Sequence, residues 1–245
     1  MKKFKSKISQ LEELATVRAN RELRVSRREV IIQGRKIENK INEILGVLAS
    51  APGSIVVGIK RQELVNLINS TYGELSKQQT QQLSTLLEGV YKTTRSEVGV
   101  MLDQTFGVVS DEQVKALLNM PNKGLTLSQR VYANNQVVAD KLNRDIGRLL
   151  FMNEKPEVIK RELVKNLNIT QSQAERLFRT ETSRFFNEAT HDTYKQAGIK
   201  TFEFLAEGNA CEVCSSLDGK IYDINAGTPV PIHPSCRCTI LPVID

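Results

Sequence analysis

With 245 residues, 40% of them apolar, the chain can bury the core of one or two domains, and its longest apolar runs, such as Ile55-Val56-Val57 and Leu149-Leu150-Phe151-Met152, fall far short of a bilayer crossing. Its net charge of +6 is unevenly placed: residues 1–36 carry eleven Lys or Arg against four Glu, whereas residues 201–245 carry two basic against six acidic side chains. The opening Met1-Lys-Lys-Phe-Lys-Ser-Lys7 has no apolar run behind its charges, so no signal peptide and no oxidising compartment are expected.

From Ile8 to Leu48 the pattern is helical and free of proline, and it predicts a long amino-terminal helix or helix pair ending at the breaker Ala51-Pro52-Gly53-Ser54. Leu11, Leu14, Val17, Val25 and Ile32 recur among the charges at roughly helical spacing and mark its apolar stripe. The basic residues around them suit two roles: meeting DNA phosphates through counterion release, or solvating an exposed helix face. Arg61 to Phe106 is again helix-like, with a stripe of Leu64, Leu67, Ile68, Leu75, Leu83, Leu86, Leu87, Val90 and Tyr91; Gly73 is a candidate break. Asp111 is placed to cap a short helix through Leu118, closed by Pro121-Asn122-Lys123-Gly124. Ser128 opens the next helix, with Val131, Val138, Leu142, Ile146 and Leu149 on one side. Pro156 suits the first turn of another, burying Val158, Ile159, Leu163, Val164 and Leu167. Thr170 with Gln173 reads as the capping box of a last helix that stops at Gly198. Thr201 to Leu205 then alternates as a strand does, and Asp218-Gly219 suits a hairpin turn.

All four cysteines fall in this last stretch. Cys211-Glu-Val-Cys214 is followed by eighteen residues and then His233-Pro-Ser-Cys236-Arg-Cys238. A Cys-x2-Cys turn brings two thiolates together, and a second cluster of His and Cys supplies the further ligands of tetrahedral zinc. Five donors compete for four places. Cys211, Cys214, His233 and Cys236 form the preferred set, with Cys238 as the alternative fourth ligand or a small core residue. Disulfides and metal-free buried thiols are the competing readings; a redox Cys-x-x-Cys lacks the βαβ surroundings it needs. Ligands are in surplus and no His-Glu-x-x-His occurs, so the site is expected to be closed and structural, clamping a segment too small to fold on its own core. The acidic balance of that segment argues against a zinc module that reads nucleic acid.

Elsewhere, chemistry-bearing residues are sparse. Arg179 and Glu181 could pair in a site, but a helix-surface or helix-to-tail ion pair is the more ordinary role. His191, one turn after Asn187, is expected to be solvated and is left out of the metal set. No phosphate loop, nucleophile elbow or dinucleotide fingerprint is present, and no enzyme is expected.

The pattern Arg179-Thr-Glu-Thr182, Asn187, Gly198, Cys211-Glu-Val-Cys214, Leu217-Asp-Gly-Lys220 and Pro231-Ile-His-Pro-Ser-Cys-Arg-Cys238 resembles the head-morphogenesis family of tailed bacteriophages, the Mu F-like minor head proteins. Leu127-Ser-Gln-Arg130 extends the similarity to roughly residues 124–243; Phe204 occupies an aromatic position of the family, and Glu207-Gly-Asn stands where other members carry an Asp. The resemblance implies a structural minor capsid protein of the virion head, made in the host cytoplasm and lodged in the capsid interior or at the portal vertex. Its implied partners are the portal protein, the major capsid or scaffolding protein and the packaged DNA, without a membrane. Some members are fused to toxin enzymes; the residues after the zinc segment, ending at Asp245, are too few for one. The expected architecture is mainly α: an elongated multi-helix body with a small zinc-stabilised β unit at the carboxyl end. Its expected divisions are a basic helical segment (1–53), a helical region (54–121), a helical head-morphogenesis core (122–200) and the zinc-binding β segment (201–245).

Overall fold

The computed structural model describes residues 2–50, 53–107, 109–122, 124–152 and 154–244. It is mainly helical, with α1 (Lys2–Ser50), α2 (Ser54–Met101), α3 (Asp111–Asn119), α4 (Leu127–Phe151) and α5 (Pro156–Gln196) preceding a small sheet. That sheet consists of β1 (Thr201–Leu205), β2 (Ile221–Asp223) and β3 (Thr239–Pro242), with the four-residue helix α6 (Glu212–Ser215) between β1 and β2. Of the expected breaker after α1, Ala51 and Pro52 lie outside the described residues, as does Lys123 of the turn after α3. Among the described residues, no helix is long and apolar enough to cross a membrane.

The helical period of α1 is as expected, but its phase is not. Leu14, Val17, Val25 and Ile32 are all at least 45% exposed, while the buried face carries Ile8, Ala15, Ala19, Leu23, Ser26, Val30, Ile37, Ile41 and Ile44. Ala15, Ala19 and Ser26 are interleaved with the large aliphatics of this face, and small side chains there let neighbouring segments approach. Gly34 is the extreme case, since a Cβ there would run into the side chain of Leu167. In α2 the expected stripe faces inward, Leu67 less completely than the rest, and Gly73 does not break the helix. One glycine lowers helix propensity by only about 1 kcal/mol, which flanking burial of Tyr72 and Leu75 overrides.

The caps are shifted. Ser110 rather than Asp111 caps α3, its hydroxyl accepting from Gln113 N while the Gln113 side chain accepts from Ser110 N. Thr126 caps α4 in the same way through Gln129, so Ser128 lies inside the first turn. Thr170 caps nothing: α5 runs unbroken through it, and its buried hydroxyl donates to Asn166 O and meets Tyr72 Oη at 3.0 Å. A Thr-x-x-Gln spacing serves equally inside a helix, where the hydroxyl bonds back to the carbonyl four residues earlier. Val164, expected inside, is 55% exposed.

Two compact units interleave along the chain. One gathers Met1–Glu22, Gln82–Met120 and Arg176–Asp245; the other gathers Leu23–Gln81 and Pro121–Glu175. The second unit packs α1, α2, α4 and α5 residues around Ile37, Ile41, Ile68, Leu142 and Ile146. A polar layer sits in it: Asn135 Nδ2 donates to Ser76 Oγ (3.0 Å) and Gln79 Oε1 (2.9 Å), and Gln79 Nε2 donates to Ser26 Oγ (3.1 Å).

The first unit holds the sheet, in the order β2-β1-β3 with both pairings antiparallel. Phe202 pairs with Tyr222 on one side and with Pro242 on the other, and Phe202 and Phe204 point inward while Thr201 and Glu203 do not. Asp218-Gly219 does not join two adjacent strands as a tight hairpin. Gly219, at φ +77°, turns the chain out of the α6 loop into β2, and Asp218 Oδ1 accepts from Ala206 N at 2.8 Å.

Candidate metal centre

The donors sit on two turns of the first unit. Cys211 is the residue before α6 and Cys214 lies within it; Ser215 N donates to Cys211 O and closes the Cys-x2-Cys turn. On the return, Cys236 N donates to His233 O, forming a second tight turn with Ser235 in the left-handed region at φ 60°. Together the turns bring the five donors into two overlapping triads, Cys211-Cys214-His233 and Cys214-Cys236-Cys238, with the ligand atoms of each triad within 4.8 Å of one another. Cys214 belongs to both.

His233 Nε2 is 3.3 Å from both Cys211 Sγ and Cys214 Sγ, and Cys214 Sγ is 3.8 Å from Cys236 Sγ. Around tetrahedral zinc, metal–ligand lengths place two sulfurs about 3.8 Å apart and a sulfur and a nitrogen about 3.6 Å apart. The Cys214–Cys236 separation equals such an edge, and the two His233 separations fall about 0.3 Å short of one. The imidazole is oriented for the same purpose: Nδ1 lies 3.0 Å from Pro234 O, and since a carbonyl can only accept, Nδ1 carries the proton and the Nε2 lone pair faces the thiols.

The cysteines are free thiols, Cys211 exposed and the other three buried. Their electrostatics show what the cluster lacks by itself. The Cys238 thiol hydrogen-bonds Cys236 and lowers it to about 5, while burial, helped by Cys236 and Cys211 and opposed by Cys238, pushes Cys214 up to about 12. Cys238 is raised as well, first by its bond to Cys236 and then by burial. Cys211 is lowered, chiefly by a backbone N–H of Cys214. Closely packed sulfurs cannot all ionise in a protein interior without a cation among them. Donor set, spacing and tautomer fit a divalent, thiolate-binding metal.

What holds the second turn is a polar strip on α5. Ser235 N donates to Thr180 Oγ1 (2.9 Å), Asn187 Nδ2 donates to Cys238 O (3.2 Å), His191 Nε2 lies 2.7 Å from Ile224 O, and Tyr194 Oη donates to Ile240 O (3.1 Å). His191 is thus not solvated. It is 7% exposed and edge-on to Phe202, because the helix face that looks polar is the face the sheet covers. Glu181 pairs at 3.0 Å with Arg184, three residues on, and is buried; Arg179 reaches Asn20 Oδ1 at 3.5 Å. These anchors were missed individually, yet Thr180, Arg184, Asn187, His191 and Tyr194 recur at alternating gaps of four and three. That period marks a buried stripe, polar or not.

Arg237, between the two tail cysteines, forms a second brace. Its guanidinium lies 3.0 Å from Glu12 Oε2 of α1 and 2.7 Å from Glu207 Oε1 of the loop after β1. Glu12 is buried at 6% exposure and also accepts from Thr16. A cleft of about 600 Å³ opens here, with Lys5, Glu13 and Asp218 also on its wall.

Residues 145–241, which contain every donor, the α5 strip and the sheet up to Leu241 of β3, match the family described as Phage Mu protein F like protein. This stretch belongs to the Mu F-like family. The match covers under half of the chain and begins within α4. An NAD(+)--arginine ADP-ribosyltransferase EFV of Enterococcus faecalis (strain ATCC 700802 / V583) is similar at 24% identity, over 64% of this chain and 36% of its own length. The chain therefore spans about a third of that relative. No solved structure matches. The Mu F-like stretch contains the whole candidate metal centre together with the α5 strip that supports it.

Proposed function

We propose that the chain is a structural minor head protein of a tailed phage, acting with the portal and the inner capsid during head assembly and with a role at DNA packaging or ejection. The observation that carries this reading is the match of residues 145–241 to the Mu F-like family. In this reading Cys211, Cys214, His233 and Cys236 hold a structural zinc ion, with Cys238 as the alternative fourth ligand. Zinc supplies cross-linking there: it joins the α6 turn to the His233–Cys236 turn and lets the crowded sulfurs ionise together. The chain's own residues do the rest. Thr180, Asn187, His191 and Tyr194 fix the tail backbone on α5, and Arg237 ties it to Glu12.

We assign no catalysis to this chain. The surplus of protein donors supports a closed site, and the transferase activity in the relative's name belongs to a protein of which only 36% is aligned. Incubation with labelled NAD(+) and an arginine-bearing acceptor is expected to give no transfer; transfer above background would refute this.

The assembly reading is tested by co-expressing the tagged chain with the portal and major capsid proteins of its own phage. Incorporation into proheads supports it, and exclusion from proheads refutes it. A second reading, DNA binding through the basic amino-terminal segment, is favoured by the exposure of Arg21, Arg24, Arg28, Arg35 and Lys36. It requires a gel shift that weakens steeply with salt.

A further inference from the structure

Within the second unit, the exposed side of α1 is not the polar surface that a solvated helix would carry. At 100° per residue, Ile31, Arg24, Arg35, Arg28, Ile32 and Val25 fall in that order across an arc of about 120°, opposite the arc that buries Ser26, Val30, Gln33 and Ile37. Val25, Ile31 and Ile32 are 45%, 45% and 48% exposed. The three arginines run down the middle, Ile31 edges one side, and Ile32 and Val25 edge the other. Arg24, Arg28 and Arg35 enter no ion pair among the described residues, in contrast to Arg27, which meets Glu175 at 2.6 Å. No carboxylate falls within this arc between Arg24 and Ile37, and of those beside it Glu29 accepts from Gln33 and Glu38 faces Lys160. The face thus carries three free positive charges, no free negative one, and aliphatic rails along both edges.

We infer that this face docks an acidic amphipathic helix of a partner protein, with carboxylates along its centre seated on Arg24, Arg28 and Arg35 and apolar side chains packed on Val25, Ile31 and Ile32. Charge complementarity selects the occupant. A second copy of the face would set arginine against arginine, a like-charge contact that opposes pairing. DNA would satisfy the arginines but give the aliphatic rails nothing to bury against. A lipid surface takes helices whose apolar face is continuous and whose cations flank it, whereas here the cations split the apolar face. An acidic helix satisfies charges and rails at once, in the helix-on-face mode of peptide recognition. This inference does not depend on the head-protein reading.

The test uses the full chain and a fluorescent stapled peptide whose contact face carries glutamates four residues apart along its centre and leucines on both edges, read by anisotropy. Binding is expected, about tenfold weaker for an Arg24→Gln/Arg28→Gln/Arg35→Gln variant and again about tenfold weaker for Val25→Ser/Ile31→Ser/Ile32→Ser. Loss of binding when the peptide's glutamates become glutamines supports it further. Both variants alter exposed positions, so unchanged melting confirms that they fold. The inference is overturned if the peptide does not bind, or if only the arginine variant matters and duplex DNA or anionic vesicles bind the face instead. A concentration-dependent dimer abolished by Ile32→Ser would equally overturn it.

Discussion

Replacing Arg237 by alanine leaves Glu12 as a buried carboxylate whose hydrogen-bond partner is the Thr16 hydroxyl. Removing one partner of a fully buried ion pair costs about 3–5 kcal/mol. Here the Arg237 side chain is 37% exposed while that of Glu12 is 8%, so water screens part of the interaction and about 2 kcal/mol is the appropriate magnitude. For a chain of this size that is a fall in Tm of about 4–8 °C. The pH dependence has a defined sign. Burial holds the Glu12 carboxyl above its ordinary range, with Arg237 and then Thr16 pulling it down. A carboxyl raised in the folded state makes stability fall as pH climbs from its unfolded to its folded value, and loss of Arg237 extends that window upward. The deficit of Arg237→Ala is therefore expected to be smaller near about pH 5 than near about pH 7. Glu12→Gln in the same background removes the stranded charge and should recover much of the loss. Urea melts of the four proteins of this cycle, at both pH values, measure the coupling. An Arg237→Ala variant that melts with the parent, or a double variant no more stable than Arg237→Ala, would refute the brace.

Elemental analysis should find about one zinc per chain, and chelation or Cys214→Ser should lower Tm severely, because a structural metal is linked to folding; a Cys214→Ser protein that melts like the parent would refute the clamp. Asn135→Ala strands Gln79 Oε1 in the second unit's polar layer and should cost about 2 kcal/mol in a urea melt. Gly73→Ala should stabilise by about 0.5–1 kcal/mol, since a Cβ there meets nothing within 4 Å and the helix is continuous. A destabilised Gly73→Ala protein would mean that α2 is not helical through that point.

What could be read from the sequence was whatever is local. The Cys211–Cys214 and His233–Cys236 turns are each closed by residues within four positions of each other, so the candidate donors they bring together could be named in advance, and so could β1 from its alternation. What failed depended on packing between distant segments. The inward face of α1 interleaves alanines, a serine and a glycine with its aliphatics, while Leu14, Val17, Val25 and Ile32 stay outside, because which face is buried is decided by where neighbouring segments pack. Thr170 looked like a cap because its spacing to Gln173 is the same in both settings; only Tyr72, nearly a hundred residues away, decides it. His191 looked solvated since its polar neighbours on α5 are satisfied by tail carbonyls that no local pattern reveals. Whether Cys236 or Cys238 completes the tetrahedron depends on how the tail lies against α5, and both sulfurs are brought to Cys214.

The α5 strip grips the tail almost wholly by its main chain: the amide of Ser235 and the carbonyls of Ile224, Cys238 and Ile240. A contact made to the backbone is blind to the side chain it holds but sensitive to where that peptide unit arrives. The helix therefore acts as a ruler for the tail. Between Ile224 and Ile240, exchange of exposed side chains leaves the marks aligned, whereas one inserted or deleted residue displaces the later ones together and carries the His233–Cys236 turn out of reach of Cys211 and Cys214.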